Sequence, residues 1–424
     1  MNVTNLWDPY ADFNKSVLPN GLSVYHSFWD RPWLKVGFVI HSGSFADIGD
    51  SEGTAHFVEH MLSKNIDGVS YDDVDFFFRS LGGCSMLGST GPLSTSYWFS
   101  IPADPEVLKR SLDIFGSMLL GGSFEKDLER ERDVILCEFG NRFPFGLMYD
   151  LYQMHKRQML YEGIDMRHYK GNLGDKQSIA SISKDDLEQF HDINYVPQNM
   201  SIVVVGNMQS EEFIGLLNKS MFSKNVSGVR RPLPQACLTA PKPKETMYDL
   251  KISDMVKDTA INMASYETYF ACPGNSNMKM LELFQNMMSY ILDAEVRQRF
   301  GSTYDIGVEI VDYVQVIEMR MRGRINPDLI DNMHEIVKHC LMRLKSENDL
   351  FDKFKSAKLN RYKLLDVNGQ QLMKNAMEDL ETRHRIMSLC DEIDLFEEVK
   401  FVDVCVLADY VADSNNRWTL IERP

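Results

Sequence analysis

Two histidines and a glutamate fall within five positions of the segment EGTAHFVEHMLSKN, which runs from Glu52 to Asn65. On a helix, His56 and His60 are four residues apart and project from one face, with Glu59 beside them. Two imidazoles at that spacing can reach one zinc ion, and a carboxylate next to them can take a proton from water activated there. Phe57, Val58, Met61 and Leu62 form a separate apolar stripe roughly opposite. That stripe would bury into a core and leave the His/Glu face looking into a cleft. A third ligand is still needed. The segment FEKDLERERDVILCEFGNR (Phe124–Arg142) is a second helix rich in acids. At about 100° per residue, Glu131 and Glu138 lie within roughly 20° of each other, while Glu129 points nearly opposite Glu138 and Asp133 well to one side. One of the two can complete the metal site and the other can accept an imidazole N–H; helical geometry alone does not rank them.

These residues need elements to hold them. In the first half, LSVYHSFWD, LKVGFVIHSGSF and LSTSYWFSIP read as strands, and helices are expected at 52–64, 71–81, 104–120, 124–142 and 183–192. In the second half, INMASYETYF and VEIVDYVQVIEMRMRG read as strands, with helices at 278–299, 326–346 and 370–391. Strand runs mixed with helices, without regular βαβ alternation, favour an α+β layer over a doubly wound sheet. The chain also repeats itself. SKDDLEQFHDINYVPQNMSIVVVG and, near the C-terminus, EEVKFVDVCVLADYVADSNNRWTLIE both run helix, break, strand, with Tyr195 and Tyr410 at matching places. Between the copies lies a stretch rich in proline and lysine. The expected organisation is a catalytic half at 1–225, a linker at 226–245 and a homologous half at 246–424.

Composition narrows the function. The 424 residues allow two or three domains, and 44% hydrophobic with 25% charged residues describes a globular chain. Lys and Arg number 45 against 61 Asp and Glu, a formal charge of -16, so the basic footprint of a nucleic-acid binder is missing. No apolar run approaches the ~20 residues of a membrane span. The opening MNVTNLWDPYADFNKSV has neither the basic start nor the apolar stretch of a signal or transit peptide. Seven cysteines (Cys84, Cys137, Cys237, Cys272, Cys340, Cys390 and Cys405) stand singly, which predicts mostly small core residues in a reducing, cytoplasmic setting.

The order H-x-x-E-H is the inverted zinc-peptidase motif, and with it the chain resembles the pitrilysin-like inverzincins. LPNGLSVYHS is similar to that family's first strand, HSGSFAD to its second and YVPQNMSIVVVG to its Y-x-P-x-N-M strand. Glu131 and Glu138 match the family's E-x(6)-E helix. The resemblance therefore implies His56, His60 and Glu138 as ligands of one Zn2+ per chain, Glu59 as general base and Glu131 in support. VRQRFGSTYDIG resembles the family's R-x(6)-Y element, implying that Arg297 and Tyr304 contact the substrate and the transition state. One place departs from the pattern: Leu87 and Gly88, with one residue inserted, stand where the family often carries an Asn-Ala pair on an edge strand. Backbone pairing with a peptide needs no particular side chain there.

The fold implied is two homologous halves, each a mostly antiparallel sheet covered by helices, facing each other across a cavity. The function implied is a zinc endopeptidase that hydrolyses short or unfolded peptides in a closed chamber. Such a chamber in the family's large members takes four units, so two chains should associate, as a homodimer or as a heterodimer with a homologous subunit, without nucleic-acid or membrane partners. The alternative is a noncatalytic scaffold or peptide-binding subunit, although its expected mark, a broken H-x-x-E-H, is absent. A third reading is a metal-dependent hydrolase of another bond. His334 and His339 in HEIVKH are five apart and diverge by about 140°, so they are expected to be structural. His155, His168, His191 and His384 have no partner spacing and are expected to be structural too.

Overall fold

A computed structural model describes residues 7–47, 51–64, 66, 69–86, 88–122, 124–142, 156–157, 161, 169, 171–237, 246–251, 263–301, 303–364, 367–413 and 416–423. The chain forms two compact units, one from residues 1–150, 169–233 and 366–389, the other from 151–168, 234–365 and 390–424. The units are not contiguous halves of the chain: residues 151–168 and 366–389 are exchanged between them.

The first unit is built on a six-stranded sheet of β1 (Asn14–Val17), β2 (Ser23–Phe28), β3 (Trp33–Ile40), β4 (Cys84–Met86), β5 (Thr95–Pro102) and β6 (Met200–Gly206), in the order β1-β2-β6-β3-β5-β4. All pairings are antiparallel except β2 with β6. Alternation along β3 explains its two faces. Leu34, Val36, Phe38 and Ile40 point into a core shared with helices α1 (Thr54–Lys64), α2 (Tyr71–Ser80) and α3 (Pro105–Leu120), where Phe38 stacks on Phe115 with ring centroids 5.2 Å apart. Helices α4 (Leu128–Arg142), α5 (Lys176–Ser181), α6 (Lys184–Asn194) and α7 (Ser210–Leu217) complete this unit's layer as it is encountered along the chain. The opposite face of β3 is covered by the helix Gly369–Arg383, which also lies along β6. Gly37 is what admits it, because a Cβ there would stand 2.3 Å from the Met377 sulfur.

The second unit repeats the plan with β7 (Thr246–Lys251), β8 (Ala264–Pro273), β9 (Thr303–Asp312), β10 (Val316–Ile325) and β11 (Arg417–Arg423), in the order β7-β11-β8-β10-β9. This is the same permutation as β2-β6-β3-β5-β4, down to the single parallel pair, β7 with β11. Its helices are α8 (Met278–Leu292), α9 (Met333–Leu344), α10 (Asn348–Lys363), α12 (Leu389–Glu398) and α13 (Phe401–Ala412), while α11 is the Gly369–Arg383 helix of the first unit. The repeated tyrosines are buried or half-buried: Tyr195 meets the Tyr97 hydroxyl at 2.8 Å and Tyr410 donates to the Ala271 carbonyl at 2.6 Å. The described residues Lys156 and Tyr161 join this unit through a buried polar cluster on the sheet, in which Lys156 pairs with Glu318 at 3.2 Å and Tyr161 also donates to Glu318.

Several expectations are corrected. The run from Val308 to Gly323 is a hairpin, turned at Val314 (φ 63°), whose N–H donates to Asp312. The helix expected at 278–299 changes to π-helical turns from Asp293 to Arg299. The helix expected at 370–391 stops at His384, whose left-handed conformation (φ 55°) ends it. Of the seven cysteines only Cys272 and Cys340 are buried; Cys84 lies on the edge strand β4, and Cys137 and Cys390 are on exposed faces of helices. Among the described residues no helix is long and apolar enough to cross a membrane.

Candidate metal centre

Helix α1 is fixed at its start by Asp47, whose carboxylate accepts the N–H groups of Gly53 (2.7 Å) and Ala55 (2.8 Å). A carboxylate at that end satisfies free donors and suits the helix dipole. Gly53 has φ +96°, and a Cβ there would press on the Leu173 carbonyl at 2.6 Å. Along the helix, Phe57, Val58, Met61 and Leu62 are completely buried, as their stripe predicts. Helix α4 is docked by Arg132, whose guanidinium sits 5.2 Å from the Phe57 ring and donates to the Ile182 carbonyl at 2.8 Å and to that of Ile179.

Between these two helices the acidic and imidazole groups converge. Glu138 Oε2 lies 3.7 Å from His56 Nε2 and 3.6 Å from His60 Nε2, and one donor atom from each of the three falls within 4.8 Å of the others. Among the described residues this is the one such cluster of three metal-ligating groups. Glu131 takes a different place, with Oε2 3.5 Å from His60 Nδ1 and Oε1 4.0 Å from Lys64 Nζ. The structure thus separates the two glutamates that the helical wheel left equivalent: one faces both Nε2 atoms, the other lies behind His60.

The donor set fits a zinc ion. Bonds of about 2.0–2.2 Å in tetrahedral geometry place neighbouring ligand atoms roughly 3.4 Å apart, close to the separations seen. The same separations are too long for direct hydrogen bonds, and two imidazoles with one carboxylate are a recurrent three-ligand set that leaves a fourth position open.

Glu59 stands next to this cluster. Its Oε2 accepts the Thr90 hydroxyl at 3.1 Å. Burial pushes its carboxyl up to about 7, the Thr90 hydroxyl and amide oppose that rise, and the negative charge of Glu138 adds to it. Thr90 was not foreseen from the sequence, where a threonine in a Gly/Ser-rich stretch carries no spacing signal. Lys64 was legible in principle, one turn beyond His60 on the same helix.

Arg297 and Tyr304 belong to the second unit. Arg297 is exposed on the π-helical turn and pairs with Asp293 at 3.6 Å. The backbone of Tyr304, the second residue of β9, lies at a bulge opposite Arg324 and Ile325, and its side chain lies outside the described residues, as does Leu87. His334 bonds Arg417, His191 meets the Leu119 carbonyl at 3.0 Å, and His384 packs edge-on against His41 at 4.6 Å, all structural settings. His155 and His168 lie outside the described residues.

Residues 31–141 match the family model of insulinase (peptidase family M16), and residues 181–362 match that of the peptidase M16 inactive domain. A mitochondrial-processing peptidase β subunit from Lentinula edodes is 29% identical over 227 residues, covering 53% of this chain and 47% of that one. An uncharacterised zinc protease of Mycobacterium bovis is 27% identical over 234 residues, covering 53% and 51%. The matched region thus spans about half the length of these relatives. The fold of a protease from Helicobacter pylori superimposes with a TM-score of 0.80 at 18% identity, over 99% of this chain and 100% of that one.

Proposed function

Because the chain belongs to the pitrilysin-like M16 peptidases, we propose that it is a zinc-dependent endopeptidase for short or unfolded peptides, with His56, His60 and Glu138 as zinc ligands. The observation that carries this reading is the convergence of both Nε2 atoms on one Glu138 oxygen, at separations an ion fits and a hydrogen bond does not. Zinc bound there would supply Lewis-acid polarisation of water and of the peptide carbonyl. Glu59, on the same helix face and held at one oxygen by Thr90, accepts the proton of the attacking water and returns one to the leaving amine. Glu131 Oε2 lies 3.5 Å from His60 Nδ1, where its charge favours the tautomer protonated at Nδ1, whose Nε2 lone pair faces Glu138. Arg297 and Tyr304 are proposed as peptide contacts on the strength of the R-x(6)-Y element.

Assembly follows the same reading: two chains associate, either as a homodimer or with a homologous subunit. Native mass measurement distinguishes these from a monomer. The noncatalytic alternative draws support from the match of residues 181–362 to an inactive-domain model. A quenched-peptide assay with and without chelator, run on wild type and Glu59→Gln, separates the readings. The Gln variant should retain zinc and lose turnover by about 10²–10⁴-fold. Equal cleavage by both proteins would overturn the assignment of Glu59, and a zinc-loaded wild type that binds but cuts no peptide would favour the noncatalytic subunit.

A further inference from the structure

We propose that the segment from Gly88 to Gly91 is a clamp that positions the Glu59 carboxylate, with Thr90 and Gly88 as positioning residues for the reaction proposed above; the inference rests on that reading. The two oxygens of Glu59 are treated differently. Oε2 is held by the Thr90 hydroxyl at 3.1 Å, whereas Oε1 lies over Gly88, where a Cβ would come within 2.1 Å of it. The same Cβ would stand 2.3 Å from Cγ and 2.4 Å from Cδ of Glu59. Shifting the far oxygen alone would not relieve that overlap, so the whole side chain would have to swing away. Gly88 also has φ +156°, which L side chains rarely adopt.

The clamp is braced from behind. The Thr90 carbonyl accepts from Asn172 Nδ2 at 2.9 Å, and Asn172 Oδ1 accepts from the Ser44 hydroxyl at 2.9 Å. The Ser44 N–H donates to the Gly91 carbonyl at 3.0 Å. On the other side, Ser96 N–H donates to the Ser89 carbonyl at 3.0 Å and Gly91 N–H to the Ser94 carbonyl at 2.8 Å. Thr90 is therefore tied both to the start of β5 and to the turn that leads through Asp47 into α1. A glutamate has three rotatable side-chain bonds, and Glu138 bears a like charge nearby; the clamp fixes one orientation against both. Since a general base acts only within hydrogen-bond reach of the proton it takes, misplacement by about 1 Å is expected to cost on the order of 100-fold in rate.

The test uses the full chain carrying zinc and the variants Gly88→Ala, Thr90→Ala and Thr90→Ser. Gly88→Ala should lower kcat by about 100-fold and Thr90→Ala by about tenfold, with KM and zinc content unchanged. Thr90→Ser should restore most of the loss, since it keeps the hydroxyl. A second readout needs no turnover: in the metal-free protein, the unfolding midpoints of Thr90→Ala, Glu59→Gln and the double variant should be non-additive, because the two side chains touch. If Glu59→Gln is inactive while Gly88→Ala and Thr90→Ala stay within about twofold of wild type, the clamp is refuted and the base assignment stands. If Glu59→Gln cleaves like wild type, the peptidase reading fails first. Additive midpoints would then refute the clamp by themselves.

Discussion

Replacing Glu131 by Gln tests the division of labour between the two glutamates of α4. Glu131 is 3% exposed, so its carboxylate interacts with His60 in a poorly screened environment. The separation from His60 Nδ1 is 3.5 Å, about half an ångström beyond a strong hydrogen bond. Groups that orient a metal-bound imidazole typically account for 10–100-fold in metal affinity. The long contact places Glu131 in the lower part of that range, at about tenfold to thirtyfold, or about 1.4–2 kcal/mol. Glu138→Gln removes a charged donor that faces both Nε2 atoms and should weaken zinc by more than about 100-fold. Competition against a fluorescent zinc chelator at one fixed pH measures both, with circular dichroism confirming that each variant is folded. Lys64→Met is the control for the 4.0 Å contact on the far side of Glu131, and it should change affinity by no more than a few-fold. An affinity loss for Glu131→Gln equal to or larger than that for Glu138→Gln would reverse the two roles and refute the reasoning.

Two further outcomes are expected. Gly37→Ala should destabilise the protein by about 1–3 kcal/mol in denaturant unfolding, because the new methyl meets Met377 at the face of β3 covered by the Gly369–Arg383 helix; combining it with Met377→Ala should cost less than the two changes added, and additivity would show that the helix does not lie where it is described. Metal analysis of the purified chain should give about one zinc per chain, and a reproducible second equivalent that survives Glu138→Gln would reveal a site outside the cluster described.

The sequence was most informative where a repeat period meets a chemical requirement. The H-x-x-E-H spacing placed His56, Glu59 and His60 on one face because four residues are little more than one helical turn, and the apolar stripe of α1 is buried accordingly. The strands of both sheets were legible from β-branched and aromatic runs, apart from β1, β4 and β7, which are short or polar. What was not legible depends on contacts distant in the chain. Nothing in the run 370–391 announces that it leaves its own half to cover β3, since that depends on Gly37 offering room to Met377. Likewise Lys156 reads as a surface charge until Glu318 is placed beside it. Thr90 acquires meaning only through the position of Glu59.

The repeated sheet permutation explains why a duplicated scaffold can carry chemistry in one copy alone. Order along the chain makes α8, which follows β8, the counterpart of α1, which follows β3. Helix α8 reads MKMLELFQNMMSYIL and buries Leu281, Phe284, Met287, Met288 and Ile291, with no histidine on it. By the same order α10 is the counterpart of α4, and NDLFDKFKSAKLNRYK has no pair of acids at the seven-residue spacing of Glu131 and Glu138. Packing against a sheet demands only that one stripe of each helix be apolar, and both copies meet that demand. The positions proposed to bear ligands in the first copy are under no such packing constraint in the second. Folding therefore preserves the architecture twice, while the residues able to hold a metal are concentrated in the unit where α1 and α4 face each other.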